Sequence, residues 1–403
     1  MIHRASTALI TFIAPHMPVL CMLGPRQAGK TTLARHCFPT YYYVPCDEKG
    51  VREAIDAGPA DFLRTLLAIH PGIVIDEFQR CPEILNSIRV YVDETGENGR
   101  IVLTGSQNYL MMETVTQSLA GRVVLVDLLP LSISELSQAK LLPDSASKFI
   151  FKGGYPRLYI NPVLSCDFVY ADYIKTYLER DVRTLKNVPD LAAFHTFIKL
   201  CAGRVGQQLN INTLAADAKI TVNTAQQWLS LLEACYIIYL LRPHHKNFNK
   251  TLTKSPKLYF VDTGLVTYLL DIHSVEDLEK HSMRGALFEN MVITECFKWH
   301  YAIKRTPSLY FWRDEGGNEI DLIISHAEQL IPVEIKSASN PRATMIEGLQ
   351  FWQELTGHPL EKSFVIYAGE SIESAHSSSY FSWQDIPRFL ETVLDVGKEP
   401  WRQ

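Results

Sequence analysis

The chain has 403 residues, 47% of them apolar, with 39 basic against 44 acidic side chains and a net charge of −5. That length exceeds one ordinary domain, and the apolar fraction is enough to build full cores. The charge balance excludes a polycation that holds nucleic acid through net charge, so any such contact must rest on local patches.

The eight cysteines, Cys21, Cys37, Cys46, Cys81, Cys166, Cys201, Cys235 and Cys296, are scattered and show no C-x-x-C spacing. This argues against zinc sites and disulfide frameworks and for reduced thiols in a cytoplasmic protein. No apolar run is long enough to span a bilayer, and no repeat or low-complexity segment stands out. Arg4 followed by the apolar stretch 8–14 has the look of a leader. A glycine loop follows too soon, however, and no small-residue cleavage site is evident, so a helix packed on the first domain is expected.

Strand candidates recur through residues 1–128: 19–23, 41–45, 72–75, 100–103 and 123–128, separated by helical stretches such as 59–70 and 82–94. This alternation predicts an α/β domain with a parallel sheet covered on both faces. Between the first strand and its helix stands Gly24-Pro25-Arg26-Gln27-Ala28-Gly29-Lys30-Thr31, which fits G-x-x-x-x-G-K-[ST] at every fixed position. Gly24 through Thr32 form the expected phosphate cradle. Its glycines let backbone N–H groups close on phosphate, and the helix N-terminus adds partial positive charge. Lys30 is expected to reach the β- and γ-phosphates, and Thr31 to hold Mg²⁺.

The strand Ile73-Val74-Ile75 ends in Asp76-Glu77, at the strand end where α/β sheets bind ligands. Asp76 is expected to hold Mg²⁺, and Glu77 to polarise an attacking water. A further buried strand, Ile101-Val102-Leu103, runs into Thr104-Gly105-Ser106-Gln107. Ser106 is the candidate γ-phosphate sensor, with Thr104 and Gln107 as weaker alternatives and an ordinary strand exit as the plain reading. Arg122 is read either as a cation that stabilises transition-state charge, in cis or from a neighbouring subunit, or as a surface arginine.

Residues 129–190 read as a helical bridge that includes an amphipathic stretch over 164–185. In 191–270, helices are expected at 191–201, 213–218 and from 222 to 234, with Asn212 and Thr221 as N-caps. Strands at 236–241 and 257–261 follow. A helix-turn-helix with a two-stranded wing is a winged-helix pattern. The loop between the strands carries Lys246, Lys250 and Lys254 and no acid, and the last helix opens with Thr221, Asn223, Thr224, Gln226 and Gln227. Such side chains suit phosphate and base edges. A structural lid or protein-binding module is the equal alternative.

Residues 271–403 carry Glu289 on a helix from about 284 to 301. Strands follow at 310–313, at 319–324 with Asp321, and at 333–336, reached by a turn near Pro332. Glu334 and Lys336, two apart on a strand, share a face. Hard oxygen ligands suit Mg²⁺, the metal lowers the pKa of bound water, and a cation beside it stabilises a phosphoryl transition state. Glu289, Asp321, Glu334 and Lys336 form an E…D…E-x-K pattern that resembles the PD-(D/E)xK nuclease superfamily, and the resemblance implies Glu289, Asp321 and Glu334 as metal ligands and Glu334 and Lys336 as catalytic residues. Gln350 is a possible auxiliary contact.

GPRQAGKTT, IVIDEFQR, LTGSQ, LAGR followed by LLPLSISEL, and Gly153-Gly154-Tyr155-Pro156 together resemble bacterial and archaeal AAA-type ATPases whose C-terminal half is the domain of unknown function DUF4143. The resemblance implies ATP and Mg²⁺, with Lys30, Thr31, Asp76 and Glu77 in the usual roles. The resemblance of the E…D…E-x-K pattern to the PD-(D/E)xK nuclease superfamily also implies a restriction-endonuclease-like α/β fold. The resulting expectation is Mg²⁺-dependent ATP hydrolysis coupled to DNA engagement, with or without DNA cleavage. The alternative is a nucleotide-controlled signalling or scaffold protein with an inactive nuclease-like module, and a homo-oligomer or a protein as its partner.

Overall fold

The computed structural model describes residues 2–106, 115, 117–178, 190–244, 254–327, 329–375 and 378–394. Helix α1 (Thr7–Ile13) precedes the first sheet and buries Leu9 and Ile10. Strands β1 (Val19–Gly24), β2 (Tyr42–Pro45), β3 (Ile73–Asp76), β4 (Ile101–Ser106) and β5 (Val123–Asp127) pair in parallel in the order β2-β3-β4-β1-β5. Helices α2 (Lys30–Cys37), α3 (Lys49–Ala57), α4 (Pro59–Ile69) and α5 (Ile84–Thr95) connect them. Alternate residues of β1 enter opposite cores. Val19, Cys21 and Leu23 pack with Leu63, Leu67 and Ile88, while Leu20 and Met22 pack with Ile10 and Leu33. Burial on both faces is why the central strands β1, β3 and β4 read as unbroken apolar runs.

The strand order places the end of β4 between the ends of β1 and β3, so the glycine loop and the acid pair face each other across Thr104–Ser106. Gly24 closes β1 at φ +147°. A Cβ there would stand 2.1 Å from the Leu128 carbonyl oxygen, so only glycine admits this approach.

After β5 the chain forms α6 (Ile133–Gln138), α7 (Ala146–Lys152), α8 (Pro156–Ile160) and α9 (Cys166–Tyr173), the last running into a π-helical turn at Ile174–Leu178. Of the amphipathic stretch expected over 164–185, residues 179–185 lie outside the described residues. Three helices, α10 (Leu191–Ala202), α11 (Ile211–Asp217) and α12 (Val222–Ala234), precede the antiparallel pair β6 (Ile238–Leu241) and β7 (Lys257–Phe260). Thr221 caps α12, accepting the Thr224 N–H at 3.1 Å. Asn210, not the expected Asn212, caps α11, because the helix starts two residues before the apolar spacing suggests. Tyr236 adopts a left-handed backbone at φ 55° and closes the turn after α12 instead of opening β6.

Helices α13 (Thr263–Leu269), α14 (Val275–Lys280) and α15 (Arg284–Ala302) lead into a mixed sheet. Its strands are β8 (Leu309–Arg313), β9 (Glu319–His326), β10 (Gln329–Lys336), β11 (Phe364–Tyr367), β12 (Ile372–Ala375) and β13 (Ser378–Ser382), in the order β12-β13-β11-β10-β9-β8. α15 and α17 (Ile386–Leu394) pack on one face and α16 (Glu347–Thr356) on the other. Pro332 lies inside β10 rather than in a turn. The Ile335 N–H points toward β9, so alternation turns the Pro332 nitrogen toward β11, which begins pairing only at Val333. No ladder bond is lost there. One contiguous apolar cluster runs from Leu131 to Leu394, so the middle and C-terminal segments share a core. No helix among the described residues is long and apolar enough to cross a membrane.

Candidate functional site

The first site lies at the carboxyl ends of β1, β3 and β4. Gly29, in a left-handed conformation, precedes α2, and Lys30 and Thr31 occupy its first turn. Lys30 is buried and donates to the Gly24 and Pro25 carbonyls at 2.9 and 2.8 Å, folded back on the loop that it would leave for a phosphate. The Thr31 hydroxyl lies 2.9 and 3.1 Å from the two Asp76 carboxylate oxygens. Thr104 and Tyr43 also donate to Asp76, one to each oxygen. Thr104 thus orients Asp76 and does not face a phosphate. Gln107 lies outside the described residues.

Glu77 follows at φ 51° and turns its side chain into the cleft. Burial pushes its carboxyl above the ordinary range, against the lowering pull of Lys30 and then Arg26. Arg26 stands 4.0 Å away. The Gln79 amide donates both to Glu77 and, at 3.0 Å, to the Ser106 hydroxyl, so the sensor candidate is wired to the candidate base. Gln79 was missed from sequence, where a polar residue in a strand-to-helix loop carries no distinctive pattern.

These groups open on a cleft of about 370 Å³. Gln27, Gly29, Lys30, Thr31, Thr32 and Glu77 line one wall. α8 supplies the other, with Pro156, Arg157, Ile160 and Asn161. Arg157 also escaped the sequence reading. It follows the Gly153-Gly154-Tyr155-Pro156 motif and is held by Asp172 at 3.8 Å. Arg122 is elsewhere. It precedes β5 at the amino end of the sheet, forked on Asp93 at 2.5 and 3.0 Å. The length of β1, about 16 Å, separates that edge from the loop, which rules out contact with a phosphate bound in its own chain. Mg²⁺ fits the first site by donor chemistry: the Thr31 hydroxyl and the Asp76 carboxylate are hard oxygens side by side, and Gln27, which lines the same cleft as Thr31, has its Oε1 buried without a hydrogen-bond partner among the described residues.

The second site gathers acids and cations from both sides of the shared core. The β9–β10 ladder ends at the Leu322–Val333 pair, and beyond it the Asp321 carboxylate takes the Ile335 N–H at 2.8 Å. Lys336 lies 3.1 Å from Asp321 and contacts Glu334. Lys257, at the start of β7, reaches Glu289 at 2.9 Å and also contacts Glu319, which Arg313 holds at 2.8 Å. The Tyr259 hydroxyl donates to Glu289. Burial and the neighbouring Asp321 charge push Glu334 well above the carboxylate range. Burial would raise Asp321 as well, but the Lys336 and Lys257 charges outweigh it and hold that carboxyl low. Glu289 is raised by burial despite Lys257. Burial would lower both lysines, yet the surrounding carboxylates hold them above the ordinary lysine range.

The structure therefore brings Glu289, Asp321, Glu334 and Lys336 together, joined by Lys257 and Glu319, while Gln350 is exposed on α16. Asp321 and Glu334 both meet the Lys336 ammonium, and Glu289 and Glu319 both meet that of Lys257. Among the described residues no three carboxylate, imidazole or thiolate groups converge to hold a metal, and lysines fill the gaps between the acids. The expected Mg²⁺ ligands Glu289, Asp321 and Glu334 lie in one cluster, each in contact with a lysine. In the sequence Lys257 reads only as the first residue of a wing strand. The signal was a lysine opening an apolar run, Leu258-Tyr259-Phe260, that is wholly buried.

The parallel sheet, the glycine loop and the Thr31–Asp76 pair define the first domain as a P-loop nucleotide-binding domain. Family models match an AAA domain over residues 16–137, a domain of unknown function (DUF8612) over 144–276 and a domain of unknown function (DUF4143) over 284–386. The chain thus carries an AAA-type P-loop domain and a C-terminal DUF4143 domain. Similar proteins include an uncharacterized protein of Mycobacterium tuberculosis, 29% identical over 354 residues, which are 88% of this chain and 77% of the relative. An uncharacterized protein of Methanocaldococcus jannaschii is 25% identical over 77% of this chain and 73% of its own length. Among solved structures, a Walker-type ATPase of Pyrococcus abyssi aligns with a TM-score of 0.41 at 15% identity, over 67% of this chain and 96% of that one.

Proposed function

We propose that the chain binds ATP with Mg²⁺ in the cleft between the glycine loop and α8, and hydrolyses it. The observation that carries this reading is the Thr31 hydroxyl beside the Asp76 carboxylate at the mouth of the loop, with Glu77 next in the chain. Lys30 leaves the loop carbonyls for the β- and γ-phosphates, an exchange of neutral acceptors for charged ones. Thr31 and Asp76 would hold Mg²⁺, which would neutralise phosphate charge. Glu77, its carboxyl raised by burial, is suited to take a proton from an attacking water near neutral pH. Gln79 and Ser106 report the γ-phosphate to Glu77. Arg157, facing the cleft from α8, takes the cis role first considered for Arg122. Phosphate release that needs Mg²⁺ and disappears in Glu77→Gln, with ATP binding retained, supports hydrolysis. Binding without turnover in the unmodified chain would reduce the protein to a nucleotide-binding switch.

The nucleotide state is proposed to control how the remaining modules engage DNA. The winged-helix reading draws support from α10–α12 followed by β6–β7, with Val205 and Gln208 bridged to β7. Thr221, Asn223, Gln226 and Gln227 are exposed on α12, and Lys254 is exposed next to the wing loop. Lys246 and Lys250 lie outside the described residues. Binding that weakens steeply with salt and differs between ATP and ADP supports this reading. Salt-independent binding, or none, rejects it.

A second reading is favoured by the second site itself: its carboxylates are already neutralised by Lys257, Lys336 and Arg313. On this reading the C-terminal module is a non-cleaving interaction domain under nucleotide control. Incubation with plasmid, linear and single-stranded DNA, with Mg²⁺ or Mn²⁺ and with or without ATP, distinguishes the two. Cleavage lost in Lys336→Ala would restore the nuclease reading.

A further inference from the structure

Arg4 stands ahead of α1, well before the phosphate loop in sequence, yet its side chain is buried at 6% exposure. Each guanidinium nitrogen has a different acceptor. Nε donates to Glu135 Oε1 at 2.8 Å, Nη1 to the Ala28 carbonyl at 2.7 Å and Nη2 to the Leu129 carbonyl at 2.5 Å. Glu135 is itself held, accepting the Ala5 N–H at 2.8 Å and the Ser132 N–H at 2.9 Å within the capping box of α6. The guanidinium plane is therefore set by the fold and needs no nucleotide.

Its contact with Ala28 bears on the loop. In a trans peptide the carbonyl and the following N–H point in opposite directions. Arg4 is not among the residues that line the cleft. The group holding the Ala28 carbonyl thus fixes the Gly29 N–H on the other side. The Gly29 carbonyl is already committed, accepting the Leu33 N–H at 2.9 Å in the first turn of α2. The Ala28–Gly29 peptide is held through its carbonyl by Arg4. Gly29, at φ +97°, has no side chain to choose between its two orientations, so hydrogen bonding must choose. A flipped peptide would present a carbonyl oxygen to an anion in place of an N–H.

We propose that Arg4 is a positioning residue of the nucleotide site, holding the Ala28–Gly29 peptide so that the Gly29 N–H faces the phosphates. This rests on the ATP reading above. It adds a residue that touches neither nucleotide nor metal, and it connects the loop to the segment leaving the first domain. That segment is gripped in turn by α15. Lys298 donates to the Leu131 carbonyl at 2.9 Å, and Glu295 accepts the Ile133 N–H at 2.7 Å.

The test is calorimetric titration of the full chain with ATP and with ADP, alongside thermal melting. Arg4→Lys keeps a cation beside Glu135 but offers one nitrogen to three acceptors, so its Kd for both nucleotides should rise about tenfold or more. Glu135→Gln leaves the Ala28 and Leu129 contacts in place, so its Kd should move less than about threefold even though its melting point falls. If Arg4→Lys does not fold, Arg4→Met combined with Glu135→Gln buries no unpaired charge and should show the same rise in Kd. Wild-type affinity in the Arg4 variants overturns the proposal. So does an equal loss in Glu135→Gln, which would assign the effect to the fold. An unmodified chain that took up neither nucleotide would overturn the ATP reading itself, a result distinct from both.

Discussion

Replacing Lys257 by methionine removes the ammonium between Glu289 and Glu319 while keeping most of the side-chain volume. The Lys257 side chain is 4% exposed, against 16% for Glu289 and 19% for Glu319. Glu319 retains Arg313 at 2.8 Å, but Glu289 is left with the Tyr259 hydroxyl as its only remaining hydrogen-bond donor among the described residues. Breaking a buried pair by removing one partner costs about 3–5 kcal/mol, because it strands a charge. The surviving arginine and the residual exposure of the acids bring the expected cost to about 2–4 kcal/mol. Urea unfolding of the full chain, followed by tryptophan fluorescence, measures it. Lys257→Met combined with Glu289→Gln should recover most of the loss, since the stranded carboxylate is then gone. A cost below about 1 kcal/mol for the single variant, or simple additivity in the double, would refute the view that Lys257 ties β7 to the C-terminal acids.

Gly24→Ala should cost at least about 3 kcal/mol or abolish folding of the first domain, read by thermal melting, because its Cβ would meet a backbone carbonyl that cannot give way. Arg157→Ala should slow phosphate release about tenfold or more, whereas Arg122→Ala should leave it within about threefold, since only Arg157 faces the cleft. His300 supplies a pH signature. Burial pushes its imidazole below the ordinary value of 6.5, with the Cys296 carbonyl at 2.7 Å as the opposing influence. The folded state binds the proton less readily than the unfolded one. Its contribution is therefore complete above about pH 6.5 and is lost as pH falls toward the lowered pKa, at up to about 1.4 kcal/mol per pH unit. Denaturation midpoints of His300→Gln should fall less than those of the unmodified chain between neutral pH and mildly acidic pH.

The elements most legible in the sequence were those governed by local pattern. Buried strands betrayed themselves as apolar runs, and Gly24 through Thr31 and Asp76-Glu77 emerged at strand ends because α/β sheets place chemistry there. Thr221 was recognisable as a cap. Asn212 was not the cap of α11, since two asparagines sit within one turn and only tertiary packing decides between Asn210 and Asn212. Pro332 suggested a turn, yet a proline is tolerated in a strand where its nitrogen faces an edge not yet paired. Three residues not legible in the sequence act over long separations. Arg157 enters the cleft only because α8 folds over the loop, Lys257 meets Glu289 only because β7 packs on α15, and Arg4 meets Ala28 only because the chain start runs behind the glycine loop. Arg122 loses the cis role for the complementary reason: it lies at the amino edge of the sheet, at the opposite strand ends from the glycine loop.

The most direct measurement is isothermal titration of the folded full chain with ATP in the presence of Mg²⁺, repeated with Lys30→Ala. Saturable uptake by the unmodified chain, weakened at least about tenfold in the variant, is the predicted result. No uptake by folded protein, or equal affinity in the two, would contradict it.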